Sequence, residues 1–286
     1  MNDRECVALL TWALPRLGLR WRGFKDLRRQ VCRRIIARAA ELGVATADEY
    51  RARIEADPAE LTRLDALCFV TISRFYRDAP VFDALRHTHL PRLAEAARAR
   101  GTLRVWSAGC ASGEEAYTIA ILWHLELAAR FPDVTLSLLA TDRDATVLRR
   151  ARAAVYPASS LRELPPDLRA HAFEPARAFE PAVAASAVAA SAVAASAVAA
   201  SAVAASAVAE PAVAELRLRA DLRAGVHFEA RDLRTFVPPA PQDLVLCRNA
   251  VFTYFDEPSQ RAFLDRLPLV PGGLLILGKG ESRPGP

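Results

Sequence analysis

The segment LRVWSAGCASGEEAYTIAILWHL, residues 103 to 125, constrains the fold more than any other part of the chain. A short apolar run from Leu103 to Trp106 leads into a tight turn of small residues, Ser107 to Gly113, and a helix-compatible segment begins at Glu114. Such a strand–turn–helix unit opens a nucleotide-binding α/β sheet, because small residues let the backbone approach a ligand and the helix N-terminus offers free N–H groups. The turn lacks the Lys-Ser/Thr pair of a phosphate loop, which argues against triphosphate binding.

Acidic residues follow this turn and the next predicted strand. Glu114 and Glu115 lie where a pyrophosphate would be repelled, so the rim suits a ligand with positive charge and hydroxyl groups. S-adenosylmethionine, with its sulfonium, ammonium and ribose, fits that description. The run VTLSLLA, residues 134 to 140, predicts a second buried strand that ends near Asp142 and Asp144. An acid at this place commonly holds ribose hydroxyls, and a helix N-cap is the alternative role, which the pair allows as well.

Strand and helix patterns alternate from about residue 100 onward, whereas residues 1 to 90 are predicted to be helical throughout. Further strands are predicted at 226–230, at 243–247 and after Gly272-Gly273. This alternation implies a parallel, doubly wound α/β sheet, whose ligands bind at the carboxyl ends of the strands. We therefore predict a helical domain over 1–90 and a ligand-binding domain over 91–286, with one crevice formed by the turns after residues 109, 141, 231 and 247.

Residues 181 to 215 do not fit the alternation. The chain repeats a five-residue unit there, PAVAA followed by SAVAA units and closed by PAVAE. That period matches neither a coiled-coil heptad nor a known solenoid repeat, and alanine favours helix while valine and serine oppose it mildly. We interpret the segment as an expanded low-complexity repeat in a surface loop, either a loose helix or disordered.

Composition indicates the cellular compartment and the kinds of covalent or metal site that we expect in this chain. No apolar run is long enough to span a bilayer and no export signal precedes the domain, so we expect a cytoplasmic protein without membrane insertion. The five cysteines contain no C-x-x-C pair, which predicts reduced thiols rather than disulfides or a zinc site. The histidines show no metal-ligand spacing beyond His87 and His89, a pair that we interpret as a solvated loop feature, so no metal is expected.

Arginines crowd the segment from Phe24 to Leu42, whose apolar residues recur at helical spacing. The pattern predicts an amphipathic helix with a basic face, which would either be solvated or dock an acidic protein surface. The net charge of +5 is weak evidence for nucleic acid, which we do not expect as a partner. The arginines of this face are Arg28, Arg29, Arg33, Arg34 and Arg38.

Several motifs, in this order, resemble the CheR-type chemotaxis receptor methyltransferases, which transfer a methyl group from S-adenosylmethionine to receptor glutamates. They are WSAGCASGEEAYTIAI, ATDRDATVLRRARAAVYP, LPPDLR, DLVLCRN, YFDEPSQRAFLDRL and PGGLLILGKGE. The resemblance covers residues 24 to 282 apart from the repeat. It implies a small helical domain joined to a class I methyltransferase domain with a Rossmann-like sheet.

The resemblance also implies roles for individual residues. Arg77 and Tyr254 would be the catalytic residues, facing the acceptor carboxylate. The other matches would bind the cofactor: Ala108, Gly109 and Glu114 at the methionine moiety, Asp142 at the ribose, Asp232 and Leu233 at the adenine, Asn249 at the methionine end, and Thr71 and Ser73 beside the cofactor.

The chain departs from the family pattern in four places. Thr71 and Ser73 replace an asparagine and a threonine, and CRNAVFTYFD carries one residue more than the family motif, which shifts Tyr254 relative to Asn249. The repeat stands where the family has a small β-subdomain that docks receptor tails. The chain stops soon after the strand predicted at 274–279, so we expect a C-terminally shortened sheet.

Two alternatives stay open: a methyltransferase of this fold with another acceptor, RNA or a small molecule, and an inactive binding module.

Overall fold

The computed structural model describes residues 1–69, 71–176 and 215–285. The predicted repeat, up to residue 214, lies outside these ranges. Thr46 caps the helix Ala47–Ala56 in a capping box with Glu49, and Asp57 caps the helix Pro58–Cys68, whose first residue is Pro58. No helix in the described ranges is long and apolar enough to cross a membrane. The helices of the N-terminal part are α1 (Asp3–Ala13), α2 (Arg28–Glu41), α3 (Ala47–Ala56) and α4 (Pro58–Cys68).

The α/β part begins with two helices and then alternates, as the sequence predicts. Tight turns of 3₁₀ and π type connect several elements. The elements are α5 (Ala79–Ala84), α6 (Leu90–Ala97), β1 (Thr102–Ala108), α7 (Glu114–Leu122), β2 (Thr135–Asp142), α8 (Ala145–Ala153), β3 (Val155–Pro157), α9 (Pro166–Ala172), β4 (Phe173–Pro175), β5 (Glu215–Leu218), β6 (Val226–Ala230), β7 (Gln242–Cys247), α10 (Val251–Tyr254), α11 (Glu257–Arg266) and β8 (Leu269–Leu277).

The main sheet is parallel, with strand order β6-β2-β1-β7-β8. Central strand β7 is buried along its whole length because its residues pack on both faces of the sheet. β8 begins at Leu269, earlier than predicted, and forms the edge of the sheet within the described ranges. Gly272 and Gly273 lie inside β8, next to the irregular register between Gln242 and Leu244, where a strand tolerates glycine. The predicted doubly wound α/β fold is confirmed.

A small antiparallel sheet was not predicted. Its order is β3-β5-β4, and it brackets the repeat: the Ala176 N–H donates to the Glu215 carbonyl at 3.0 Å. Ala176 and Glu215, the described residues on the two sides of the repeat, are therefore neighbours.

Hydrophobic packing divides the molecule at the main sheet. One core contains the N-terminal helices and the sheet face that carries Trp106 and Val245. The other core contains α7 and the residues from Phe75 through Ala97. The predicted domain boundary at residue 90 falls inside this second core, so the packing changes earlier, between Cys68 and Phe75.

Cys6 and Cys32 form a disulfide that joins α1 to α2, with their Cα atoms 5.8 Å apart. The prediction of separate reduced thiols is wrong for these two residues. Their pairing depends on how α1 packs against α2, which cysteine spacing alone does not reveal. Cys68, Cys110 and Cys247 are buried free thiols.

Candidate functional site

A cavity of about 290 Å³ opens at the carboxyl ends of β1, β2, β6 and β7. This is the place where ligands bind to parallel α/β sheets. The predicted turns therefore converge, as the sequence indicates. The predicted site residues on its wall are Thr71, Ser73, Arg77, Gly109, Asp142, Asp232, Leu233, Asn249 and Tyr254.

Two predicted site residues do not line the cavity. Ala108 is fully buried at the end of β1. Glu114 is only 2% exposed, and its carboxylate accepts a hydrogen bond from the Ser112 hydroxyl, 2.9 Å away. Glu115 lines the cavity instead, so the carboxylate on the wall comes from the next position of α7.

The turn after β1 fits closely against its neighbours. Gly109 has φ +84°, and a Cβ there would come within 2.9 Å of the Ala250 Cβ. Ala111 also adopts a positive φ, of 51°, and its N–H donates to Asp142 Oδ2 at 2.9 Å. Positive φ at a non-glycine residue is strained and is commonly found where a site requires it. The turn is thus shaped for close approach of a ligand.

Asp142 presents its carboxylate to the cavity at the end of β2. Its two oxygens accept backbone hydrogen bonds from Ala111 and Asp144, at 2.9 and 3.0 Å. Burial raises the pKa of Asp142, and these backbone hydrogen bonds oppose the rise. Asp144, not Asp142, caps α8 through the Thr146 N–H. The N-cap alternative therefore applies to Asp144, and Asp142 is left to face the cavity.

A buried ion network forms the floor of the cavity. Glu115 accepts hydrogen bonds from the Ser107 hydroxyl at 2.7 Å and from Arg248 at 3.1 Å. Arg248 also pairs with Asp78 at 2.6 Å and donates to the Arg77 carbonyl at 2.7 Å. Burial raises the pKa of Glu115, although the charge of Arg248 opposes it. The network ties the segment before α5 to the helix that follows β1.

One atom of this network tests whether the expected cofactor fits. Arg248 Nε is buried and has no hydrogen-bond partner among the described residues, yet Arg248 lines the cavity. A buried N–H without an acceptor is costly, so it is suited to an anionic ligand group such as the carboxylate of S-adenosylmethionine. Glu115 and Asp142 suit its ammonium and its ribose hydroxyls. The residues present therefore fit this cofactor.

The segment that carries Arg77 crosses one side of the cavity in a strained conformation. Tyr76 and Asp78 have φ of 59° and 66°. The Tyr76 N–H donates to the Thr118 hydroxyl at 3.2 Å, and Arg77 Nη1 donates to the Ile72 carbonyl at 2.8 Å. These contacts hold the Arg77 guanidinium at the cavity wall.

Tyr254 reaches the cavity from the last residue of α10. Its ring packs against Phe24, with centroids 5.2 Å apart, and the Arg20 N–H donates to its carbonyl at 2.8 Å. Burial raises the pKa of Tyr254, and the charge of Arg77 opposes the rise. Tyr254 therefore faces the site as a neutral hydroxyl near Arg77. The extra residue before it does not remove it from the cavity.

Asp232 and Leu233, which the resemblance assigns to the adenine, lie on the cavity wall after β6. Burial opposes ionisation of Asp232, but hydrogen bonds from Arg234 outweigh it, so its pKa lies below the ordinary value. Arg234 Nη2 lies 2.6 Å from Asp232 Oδ2. This carboxylate is therefore charged and held in place.

The basic helix is α2, and only part of its basic face is free. Arg34 donates to the Phe69 carbonyl at 2.6 Å, and Arg38 pairs with buried Glu60 at 2.8 Å. Arg28 lies 3.7 Å from Asp3. The expectation of five outward-facing arginines is therefore wrong for Arg34 and Arg38, because α4 packs against them.

Exposed cations lie both before and after the first residue of α2. Four cations are exposed and form no ion pair with another described residue: Arg22, Lys25, Arg29 and Arg33. We call these residues the basic strip. Gly23, Asp26 and Leu27, which lie between its members in the chain, line the cavity. The strip thus begins at the cavity and runs outward along α2.

Some wall residues were missed from the sequence. Arg248 lies within the quoted motif DLVLCRN, so a signal for it was present. Gly23, Asp26 and Leu27 carried no such signal, because they reach the cavity only through the packing of the helical part against α10.

Comparisons with known proteins support the cofactor that these residues fit. Residues 71–193 and 183–285 match the family model described as CheR methyltransferase, SAM binding domain. A chemotaxis protein methyltransferase of Klebsiella aerogenes is 31% identical, over 89% of this chain and 76% of its own length. One of Listeria innocua is 27% identical, over 93% and 85%. A probable chemotaxis protein methyltransferase of Rhizobium etli is 30% identical, over 84% and 79%.

Proposed function

Because this chain belongs to the CheR methyltransferase family and is therefore an S-adenosylmethionine-dependent enzyme, we propose that its acceptors are glutamate carboxylates of a protein such as a chemotaxis receptor. The observation that carries the proposal is the presence of Arg77 and Tyr254 on the wall of one cavity with Asp142 and Glu115. A cation and a neutral hydroxyl suit an anionic acceptor, and the two carboxylates suit a cationic donor.

The chemistry of this transfer asks little of the protein beyond positioning. Bound S-adenosylmethionine supplies an electrophilic methyl group on its sulfonium. A glutamate carboxylate is already ionised at neutral pH, so no general base is needed. Arg77 can orient the carboxylate by paired hydrogen bonds, and Tyr254 can donate one more. Holding the anion in line and excluding water then provides the rate enhancement.

The basic strip suggests how an acidic partner would approach. Arg22, Lys25, Arg29 and Arg33 extend from the cavity wall along α2, so a negatively charged segment lying on them would bring its carboxylates to the opening. Exposed charges act through long-range attraction more than through tight pairing. We propose this strip as the docking surface for an acidic protein region.

A label-transfer assay tests the proposed acceptor. The enzyme is incubated with S-adenosylmethionine labelled in the methyl group and a bacterial cell extract, and the proteins are then treated with mild alkali. A carboxyl methyl ester releases labelled methanol, whereas methyl groups on RNA or on nitrogen stay attached. Alkali-stable label would point to another acceptor, and cofactor binding without any label would favour an inactive binding module.

Variants then connect the activity to the cavity. Arg77→Ala should lower turnover even at saturating extract, because it removes an interaction that orients the transition state. The matched control is Arg261→Ala, whose arginine pairs with Glu257 on the surface of α11 at 2.7 Å. Full turnover in Arg77→Ala would contradict the carboxyl-transfer mechanism.

A further inference from the structure

Glu281, which follows β8, makes a group of contacts that the proposed site does not yet explain. Its Oε2 accepts a hydrogen bond from the Asn249 N–H at 3.0 Å and another from the Gly278 N–H. Its Oε1 accepts a hydrogen bond from the Thr253 hydroxyl. One carboxylate therefore bridges both ends of the turn from Asn249 to Tyr254.

This turn needs such support because its backbone is strained. Asn249 has φ 53°, and Ala250 has φ −129° and ψ −103°. Such conformations are costly and persist only where the surroundings enforce them. The turn also contains the residue by which this chain exceeds the family motif. A short helix of this kind has little stability of its own.

The N-terminal helical part contacts the opposite side of the turn. Arg20 Nε donates to the Thr253 carbonyl at 3.1 Å, and a Cβ on Gly23 would come within 2.4 Å of the same oxygen. Glu281 supplies the second side of this clamp. Asn249, Thr253 and Tyr254 all line the cavity, so the position of the turn sets the position of three wall residues.

Gly278 shows that the fit around Glu281 is close. A Cβ on Gly278 would lie 2.7 Å from Glu281 Oε2 and 3.0 Å from the Asn249 nitrogen. Its φ is outside the left-handed region, so alanine would be resisted by these contacts alone. Residue 278 must therefore be small for the carboxylate to reach Asn249.

We propose that Glu281 is a positioning residue: its carboxylate holds the turn so that Asn249 faces the cofactor and Tyr254 faces the acceptor. The part of this inference that concerns Tyr254 rests on the proposed function. The part that concerns Asn249 rests on cofactor binding alone. Glu281 itself is absent from the cavity wall, so it acts through the residues that it holds.

The test compares Glu281→Ala with Glu281→Gln. Glutamine keeps the geometry, because its carbonyl can accept from Asn249 and Gly278 while its amide donates to Thr253 Oγ. Glu281→Ala should lower turnover about 10- to 100-fold, as expected for misplaced reacting groups, and weaken binding of S-adenosylhomocysteine in calorimetry. Glutamine should recover most of both. Equal losses in the two variants, or full turnover in Glu281→Ala, would overturn the inference.

Two further variants separate positioning from general stability. Gly278→Ala should reproduce the losses of Glu281→Ala with the carboxylate still present, while Gly285→Ala, which meets nothing within 4 Å, should not. In a Tyr254→Phe background, Glu281→Ala should cost little further turnover but still weaken S-adenosylhomocysteine binding, because coupled residues are non-additive. Additive losses would contradict action through Tyr254. If the wild type transferred no label but the binding results held, the proposed acceptor would fail and the positioning role would stand.

Discussion

Asp65 and Arg234 form an ion pair, with 2.6 Å between Oδ2 and Nη2, that joins α4 of the helical part to the segment after β6. Arg143, which follows β2 and lines the cavity, donates to the same oxygen at 2.7 Å. Arg234 in turn holds Asp232. A single buried carboxylate of the helical part therefore holds two arginines beside the part of the cavity wall that Asp142 and Asp232 form.

Asp65→Asn should lower the free energy of unfolding by about 1–3 kcal/mol, because two partly buried guanidinium groups lose their charged acceptor. Urea denaturation measures the change. Asp265→Asn, an exposed change of the same kind on α11, serves as the control. Equal midpoints for the two variants would show that the pair contributes little.

Cofactor affinity should fall as the pH falls through the raised pKa values of Asp142 and Glu115. Burial raises both pKa values above their ordinary 3.8 and 4.5, so the free enzyme takes up protons there more readily than the unfolded chain does. The ligand-free fold is therefore destabilised as the pH rises from those ordinary values through the raised ones, and a cationic ligand favours the ionised forms. Calorimetry of S-adenosylmethionine binding across pH measures the effect.

Asp142→Ala should weaken S-adenosylmethionine binding by about 1–3 kcal/mol, the usual cost of leaving buried hydrogen-bonding groups unpaired. Asp142→Asn should reduce the pH dependence as well, since one of the two titrating groups is gone. Unchanged affinity of the alanine variant in calorimetry would contradict the ribose role of Asp142.

Arg29→Ala combined with Arg33→Ala should raise the apparent KM for the acceptor about 3- to 10-fold without changing turnover at saturation. The effect should fade at high salt, because exposed charges are screened. Arg34→Ala provides the contrast: it removes the donor to the Phe69 carbonyl, so it should lower stability rather than salt-dependent affinity. A salt-independent loss of turnover in the double variant would argue against docking on the basic strip.

Reduction of the Cys6–Cys32 disulfide should lower the free energy of unfolding by about 3–4 kcal/mol, because the bond closes a loop over a sequence separation of 26 residues. Urea midpoints with and without a thiol reductant test this. A variant with both cysteines replaced by alanine should show no response to reductant. The same midpoint for the oxidised and reduced wild type would show that the bond does not stabilise the fold.

Deleting Ser186 to Ala205, four whole units of the repeat, should leave cofactor affinity and the thermal midpoint nearly unchanged. The ends of the segment are already joined through β4 and β5, and the closure entropy of a loop changes only by about 0.6 kcal/mol per doubling of length. Differential scanning calorimetry of the deletion variant measures it. Loss of cooperative unfolding would mean that the repeat packs against the fold.

Features of the fold that depend on a few neighbouring residues could be predicted from the sequence. The apolar run before Gly109 and the one before Asp142 are β1 and β2, and both turns reach the cavity, because strand period and turn chemistry act over a few residues. The sequence could not decide between Glu114 and Glu115, since they point about 100° apart on a helix and the orientation of α7 about its axis decides which carboxylate faces the cavity. No local pattern reports that orientation.

Contacts between distant elements account for the other differences. Arg34 and Arg38 look free in an amphipathic pattern, but α4 supplies their acceptors from more than twenty residues away in the chain. Cys6 meets Cys32 for the same reason. These outcomes depend on helix packing, which the hydrophobic period of one helix does not determine.

Gly23, Asp26 and Leu27 place part of the helical region in the wall of the cavity. Exchanging that region between relatives would therefore bring foreign wall residues against the turn that carries Tyr254. A chimera with a new helical region would consequently need its turn from Asn249 to Tyr254 taken from the same parent.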